Sequence, residues 1–158
     1  RAQQCKIQSA QEDRVLARCA DQSSGDASCG LLVSPHHRIL YTGHKANMLF
    51  GASEVLVAAK DLVNGRDIRR RPVSEIKYIH LMFDHHEVIY ADGIATESFQ
   101  ATDPVLTALE DAAREAVFSF FPELRVAAGR HLVPARTCVS EEDARMLSEQ
   151  GSSAAYYA

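Results

Sequence analysis

The sequence predicts a mainly β fold with a helical C-terminal appendage, and three stretches carry this prediction. Residues 30–41 contain two short apolar segments on either side of a Ser-Pro corner. Residues 78–90 are rich in β-branched and aromatic side chains, which favour an extended chain. After residue 98, apolar side chains recur at the spacing of a helix. A chain of 158 residues fits one domain and can bury a core.

The first 29 residues are poorly patterned. Ile7, Val15 and Leu16 suggest a short strand or a turn of helix, and residues 21–28 have the composition of a flexible loop. No C-x-x-C pair occurs, which argues against a zinc knuckle. The four cysteines are Cys5, Cys19, Cys29 and Cys138. Free thiols are the simpler expectation, while one or two disulfides with three alternative pairings stay open.

The corner between the first two predicted strands carries a hydroxyl and an imidazole. Leu31–Val33 and Ile39–Tyr41 are the flanking apolar segments. Pro35 fixes its own φ and pushes Ser34 out of the helical region. Ser34 and His37 therefore share one tight turn, where both could approach the same substrate atom. The plainer alternative is that Ser34 caps the turn and His37 is half-buried.

The middle of the chain predicts further short elements. Residues 48–50 and 54–57 predict two strands joined by a turn, and residues 58–63 predict one or two helical turns. The basic run at residues 66–71 predicts a solvated turn. Residues 78–90 predict an extended segment that breaks at Asp84-His85. Turn dipeptides stand at Asn64-Gly65 and Asp92-Gly93.

Two helices are predicted after residue 100. Asp103 and Pro104 have the character of an N-cap followed by a first-turn proline. One helix should then continue to Pro122, with its apolar face formed by Leu106, Leu109, Ala113, Val117 and Phe120. Ser140 opens a capping-box-like start for a second helix. We thus expect a poorly patterned segment (1–29), a β body (30–100), a helical extension (101–150) and a disordered tail (151–158).

Charge and hydropathy narrow the classes of partner. The net charge of -4 and the pI near 6.0 give no sign of nucleic-acid binding. No apolar run approaches the ~20 residues that would span a bilayer, so no membrane partner is expected. No secretory signal opens the chain. Because the chain starts at Arg1 rather than Met, we expect a processed piece, a trimmed chain or a fragment.

The clustering of histidines raises the question of a metal site. Six of the seven histidines lie between residues 36 and 86. The best ligand set would be His80, Asp84 and His86 on one face of a strand, with His37 as a fourth ligand. Neighbouring histidines on a strand point to opposite faces, so the two adjacent pairs cannot each bind one ion. We therefore expect no tightly bound metal and no cofactor. Asp84-His85-His86 also matches the DHH phosphoesterase signature, but the acidic motifs that should precede it are missing.

Several motifs taken in order resemble a known family. They are GLLVSPHHRIL, ANMLFGASEVLVAAKDLVNG and IKYIHLMFDHHEVIYADGIATESF. Together they resemble the bacterial Hint domains of the Hedgehog/intein superfamily, densely over residues 30–100. The resemblance implies an all-β horseshoe of short strands, incomplete in this chain. It also implies self-cleavage of a peptide bond by an N–S acyl shift, related to protein splicing, with the flanking polypeptide as substrate.

The resemblance also implies roles for individual residues. Ser34 and His37 match the family's Thr/Ser-x-x-His motif, in which the histidine protonates the scissile nitrogen and the hydroxyl orients the amide. His80 falls where many inteins place a catalytic aspartate, and His86 matches the histidine of a later HExx-type motif. Where inteins carry His-Asn, this chain has Glu-Ser at residues 97–98, so splicing is not expected.

One departure from the family leaves alternatives open. The family opens with a Cys-x-x-x-Gly-Thr strand, and this chain has no such motif. We therefore expect a fragment without its nucleophile, inactive by itself. The first alternative is a non-catalytic structural or interaction domain of a larger exported bacterial protein, which would be secreted or at the cell surface. The second alternative is a metal-binding His/Asp domain.

Overall fold

The computed structural model describes residues 2–17, 30–126 and 133–148, and seven strands in these residues form two sheets. The strands are β1 (Ala2–Ala17), β2 (Leu31–Val33), β3 (Arg38–Thr42), β4 (Glu54–Ala58), β5 (Ile68–Phe83), β6 (Val88–Ala91) and β7 (Ile94–Glu97). The strand order is β2-β1-β5 in one sheet and β4-β3-β7-β6 in the other. The predicted mainly β fold is confirmed.

Short helices connect and follow the strands. They are α1 (His44–Phe50), α2 (Asp103–Ala108), α3 (Asp111–Phe120) and α4 (Glu141–Ser148), with 3-10 turns at Ala59–Leu62 and Pro122–Arg125. In the described part of the chain, no helix is long and apolar enough to cross a bilayer. The predicted flexible loop at 21–28, the predicted tail at 151–158, and Cys19 and Cys29 lie outside the described residues.

The chain divides into two compact units. The helical unit contains residues up to 10, 75–87 and 98–135, and the β-sheet unit contains 11–74, 88–97 and those from 136 onward. The four-stranded sheet belongs to the β-sheet unit, whereas β1 and β5 contribute residues to both units. Residues 30–100, predicted as the β body, contribute to both units.

Both faces of β3 and β4 are buried, and successive residues of these strands belong to two different clusters. Ile39 and Val57 contribute to the main core of the β-sheet unit. Leu40 and Leu56 lie on the opposite face in a smaller cluster. Consecutive strand residues point to opposite faces, so the buried middle residues 39–41 of β3 and 55–57 of β4 are all apolar. This continuous burial holds β3 rigidly, which matters for the residues just before it.

The C-terminal helix α4 is part of the main core. Ala144 and Leu147 are buried in the same cluster as residues of β3 and β4, as their helical spacing predicts. The backbone N–H of Asp143 donates to Ser140 Oγ at 3.1 Å, so the predicted N-terminal cap is present. Lys60 Nζ also donates to Glu141 Oε2 at the start of α4.

Residues 48–50, predicted as a strand, belong instead to helix α1. Gly51, with φ +67°, ends the helix, and its N–H donates to Asn47 O at 2.9 Å. Ala46 is buried, and Phe50, one turn later, packs against the core, so the spacing is that of a helix. Met48 is 70% exposed. Three adjacent apolar residues therefore misled the strand prediction.

The predicted long helix after residue 103 is two helices. Leu109, in extended conformation, separates α2 from α3 and packs against the core of the helical unit. Leu106 of α2 and Val117 of α3 are both buried in that core. Phe120, predicted on the apolar face, is 42% exposed, whereas Phe121 is buried. The helix α2 also begins one residue earlier than expected, at Asp103 with Thr102 as its N-cap.

The basic run at residues 66–71 is only partly a turn. Asn64 Oδ1 accepts hydrogen bonds from the N–H groups of residues 66, 67 and 68, which closes the predicted turn at Asn64-Gly65. Residues 69–71 are already in β5, and they are exposed. β5 lies at the edge of its sheet, a position where a proline such as Pro72 is tolerated and where charges deter pairing with another chain. The break after Phe83 and the turn at Asp92-Gly93 are as predicted.

Candidate functional site

The corner that contains Ser34 and His37 is a hydrogen-bonded turn. It lies between the end of β2 and the start of β3, and His37 N–H donates to Ser34 O at 3.1 Å. The 3-10 turn at Ala59–Leu62 also holds this corner in place. Ala59 N–H donates to His37 O and Lys60 N–H donates to Pro35 O, both at 2.9 Å. The corner is thus closed by one internal backbone bond, and two of its residues, Pro35 and His37, are bonded to the 3-10 turn.

The three polar side chains of this corner differ in exposure. Ser34 and His37 are partly buried, whereas His36 between them is exposed. A partly buried hydroxyl and imidazole on one turn can contact a polypeptide laid against the corner. His36 lies on the solvent side of the turn.

The imidazole of His37, in the turn before β3, is held by a threonine on β7. His37 Nε2 lies 2.5 Å from Thr96 Oγ1 on β7, and the Thr96 hydroxyl donates to Arg38 O at 2.8 Å. A hydroxyl has one proton, and a carbonyl oxygen can only accept. Thr96 Oγ1 is therefore an acceptor toward His37, so we assign a proton to Nε2 of the ring.

The residue after Thr96 holds the backbone of the corner. Glu97, 7% exposed, accepts from Arg38 N–H at 2.7 Å through Oε1 and from Arg38 Nη1 at 3.1 Å through Oε2. Both hydrogen bonds are charge-assisted because their acceptor is a carboxylate, and such bonds are stronger than hydrogen bonds between neutral groups. Consecutive residues of β7 thus fix both His37 and Arg38.

Cys138 lies near this pair and is a free thiol. Its backbone forms an isolated parallel β-bridge with that of Leu56 on β4, and its thiol donates to Arg136 O at 3.8 Å. Burial raises the pKa of the Cys138 thiol; the Glu97 carboxylate raises it further, and Arg38 opposes the shift. The protonated thiol is therefore favoured, which makes Cys138 a weak nucleophile at neutral pH.

The two other candidate histidines belong to the helical unit. His86 is 4% exposed, and its Nδ1 accepts a hydrogen bond from Ala135 N–H at 2.9 Å. Nδ1 therefore carries no proton, and in the neutral ring the proton is on Nε2. His80 lies on β5, and its side chain is outside the described part. Ser34 and His37 come together in the β-sheet unit, and His80 and His86 lie in the helical unit.

The positions where inteins carry His-Asn have structural contacts here. Glu97 is bonded to Arg38, as described above. Ser98 is 1% exposed; its N–H donates to Glu87 O at 2.8 Å, and its hydroxyl accepts from Glu87 N–H at 2.9 Å. Within the residues that the structure describes, no group of three His, Cys, Asp or Glu side chains is placed to hold a metal ion. Asp84 and His85 are exposed.

Sequence reasoning missed Thr96. It stands in a short strand, IATE, whose four residues are all buried. The only signal was a hydroxyl next to a carboxylate at the end of this strand, and it did not indicate a partner 59 residues away in sequence.

Comparison with known proteins agrees with the motif pattern. Residues 4–103 match the family model described as Hint domain. The match begins within the first segment, whereas the motifs that carry the resemblance lie in residues 30–100. No curated protein and no solved structure matched the chain.

Proposed function

The chain belongs to the Hint domain family, and on that premise we propose that it is an autoprocessing module that cleaves a peptide bond in its own flanking polypeptide by an acyl shift. The observation that supports this most directly is the rigid corner with Ser34 and His37. It presents a hydroxyl and an imidazole of defined protonation from one turn. A preorganised pair of this kind suits general acid–base catalysis.

His37 would move the proton. In the neutral ring Nε2 holds a proton and Nδ1 has a lone pair, which can take the proton from a thiol or hydroxyl nucleophile. The nucleophile then forms a bond to the scissile carbonyl carbon. Nδ1 returns the proton to the amide nitrogen as the C–N bond breaks. The products are a thioester or ester and a free amine. An amide nitrogen leaves poorly unless it is protonated, so this step depends on His37.

The other candidates have narrower roles. Ser34 would orient the scissile amide by a hydrogen bond from the same turn. His86 can act only as a donor through Nε2 when neutral, since Nδ1 accepts from Ala135. His80 is assigned from the family motif alone. Cys138 is not proposed as the nucleophile, because its thiol is kept protonated by burial. A cysteine or serine adjoining the scissile bond must supply that group.

The test is a fusion in which a reporter protein, followed by the cysteine-opening segment of a Hint domain, precedes Arg1. We expect dithiothreitol to release the reporter. His37→Ala should slow release by about 10²–10⁴-fold, the range of general acid catalysis, and Ser34→Ala should slow it less. His36→Ala is the matched control and should leave the rate unchanged, since His36 is exposed on the same turn.

Two outcomes would contradict the proposal. Equal release from the wild type and from His37→Ala would show that the histidine does not transfer the proton. Absence of release from every fusion would favour a non-catalytic structural or interaction domain.

A further inference from the structure

We infer that Thr96 is a positioning residue that confines the proton of neutral His37 to Nε2, so that only Nδ1 exchanges protons during the reaction. The catalytic part of this inference rests on the proposed function, whereas the protonation of the ring does not. The residues that carry it are His37, Thr96 and Arg38, which form a directed chain of two hydrogen bonds at 2.5 and 2.8 Å.

The direction of this chain follows from its last member. Arg38 O can only accept, so the single proton of the Thr96 hydroxyl points to it. The lone pairs of Oγ1 then face His37 Nε2, and only a protonated Nε2 makes a favourable contact there. The same contact is suitable for imidazolium, in which both nitrogens are protonated. Thr96 is thus compatible with both charge states that His37 needs, and only Nδ1 changes between them.

The burial of Thr96 prevents other groups from taking its place as the partner of His37 Nε2. Thr96 is 2% exposed, so water cannot readily replace its hydroxyl as the partner of Nε2. The acceptor carbonyl cannot move away either, because the N–H of the same residue, Arg38, is bound to Glu97. The pairing of Ile39 with Thr96 between β3 and β7 sets the register that brings the hydroxyl to the ring. A shift by one residue would place Glu97 or Ala95 there instead.

The first experiment measures the ring of His37 directly, in the chain itself and without any cleavage. Long-range ¹H–¹⁵N NMR, at a pH where the ring is neutral, distinguishes a protonated from an unprotonated ring nitrogen. We expect Nε2 to be protonated and Nδ1 unprotonated. Thr96→Val keeps the shape of the side chain but removes the hydroxyl, so both nitrogens should move toward averaged signals. Thr96→Ser should restore the wild-type pattern, and Thr137→Val, at an exposed threonine of the same unit, should not alter it.

The second experiment uses the reporter fusion. Thr96→Val should slow release by about tenfold, the effect of one lost hydrogen bond, and Thr96→Ser should recover most of the rate. A wild-type ring with its proton on Nδ1, or an unchanged NMR pattern in Thr96→Val, would overturn the inference. The wild-type spectrum decides this even if Thr96→Val does not fold. Equal slowing by Thr96→Ser and Thr96→Val would also overturn it. If the NMR pattern is as expected but no fusion cleaves, the proposed function fails and the assignment of the Thr96 contact stands.

Discussion

Removal of the Glu97 carboxylate should destabilise the β-sheet unit mainly through one backbone hydrogen bond. The Glu97 side chain is 8% exposed, and it binds both the N–H and the guanidinium of Arg38. Glu97→Ala leaves that N–H without its acceptor between two strands. The guanidinium is less affected, since the Arg38 side chain is 33% exposed and can return to water.

These two contacts give the expected magnitude. A hydrogen bond to a charged group contributes about 1.5–3 kcal/mol, and a partly exposed ion pair adds about 0–1 kcal/mol. Glu97→Ala should therefore lower the free energy of unfolding by about 1.5–4 kcal/mol. Glu97→Gln keeps an acceptor oxygen for the N–H and should cost about half as much. The control is Glu54→Ala, which breaks a 2.6 Å contact with Arg136 between two exposed side chains and should cost less than about 1 kcal/mol.

Urea unfolding of these variants measures the differences. A double-mutant cycle with Arg38→Gln separates the guanidinium from the backbone contact, because the backbone N–H remains at position 38. The coupling energy should be no more than about 1 kcal/mol. The reasoning is refuted if Glu97→Ala costs no more than Glu54→Ala. A coupling energy near the whole effect of Glu97→Ala would show that the ion pair, rather than the backbone bond, dominates.

Three further predictions concern packing, capping and the thiol. Leu56→Ala should cost about 2–5 kcal/mol in urea unfolding, since Leu56 is 0% exposed, whereas Leu49→Ala, at a 39% exposed position, should cost less than about 1 kcal/mol. Ser140→Ala removes the acceptor of Asp143 N–H and should cost about 1 kcal/mol by the same method. Because burial raises the pKa of the Cys138 thiol, its alkylation, followed by peptide mass spectrometry, should be slower in the native than in the denatured chain and should accelerate only at higher pH. The contribution of the protonated Cys138 thiol to the free energy of unfolding is fully present below the pKa that this thiol has in the unfolded chain. It is lost as the pH rises through the higher pKa of the folded chain.

The sequence by itself determined the elements that depend on neighbouring residues. The short apolar segments on either side of the Ser-Pro corner predicted β2 and β3, and the Asp92-Gly93 dipeptide predicted the turn that joins β6 and β7. Ser140 predicted the start of α4 through a contact three residues away. Ser34 and His37 could be selected as candidates because a turn of four residues is itself a local structure.

The tertiary structure decided what depends on distant residues. Whether residues 48–50 form a strand or a helix, and whether α2 continues into α3, was set by which apolar side chains the cores could bury. Thr96 and Glu97 became part of the candidate site because β7 lies beside β3, and their partners are 58 or 59 residues away in sequence. A hydroxyl or a carboxylate in a strand does not indicate its partner, because the strand pairing and its register select that partner. The sequence alone was therefore enough to select the imidazole of His37, whereas the pairing of β3 with β7 determines which of its nitrogens lies against the Thr96 hydroxyl.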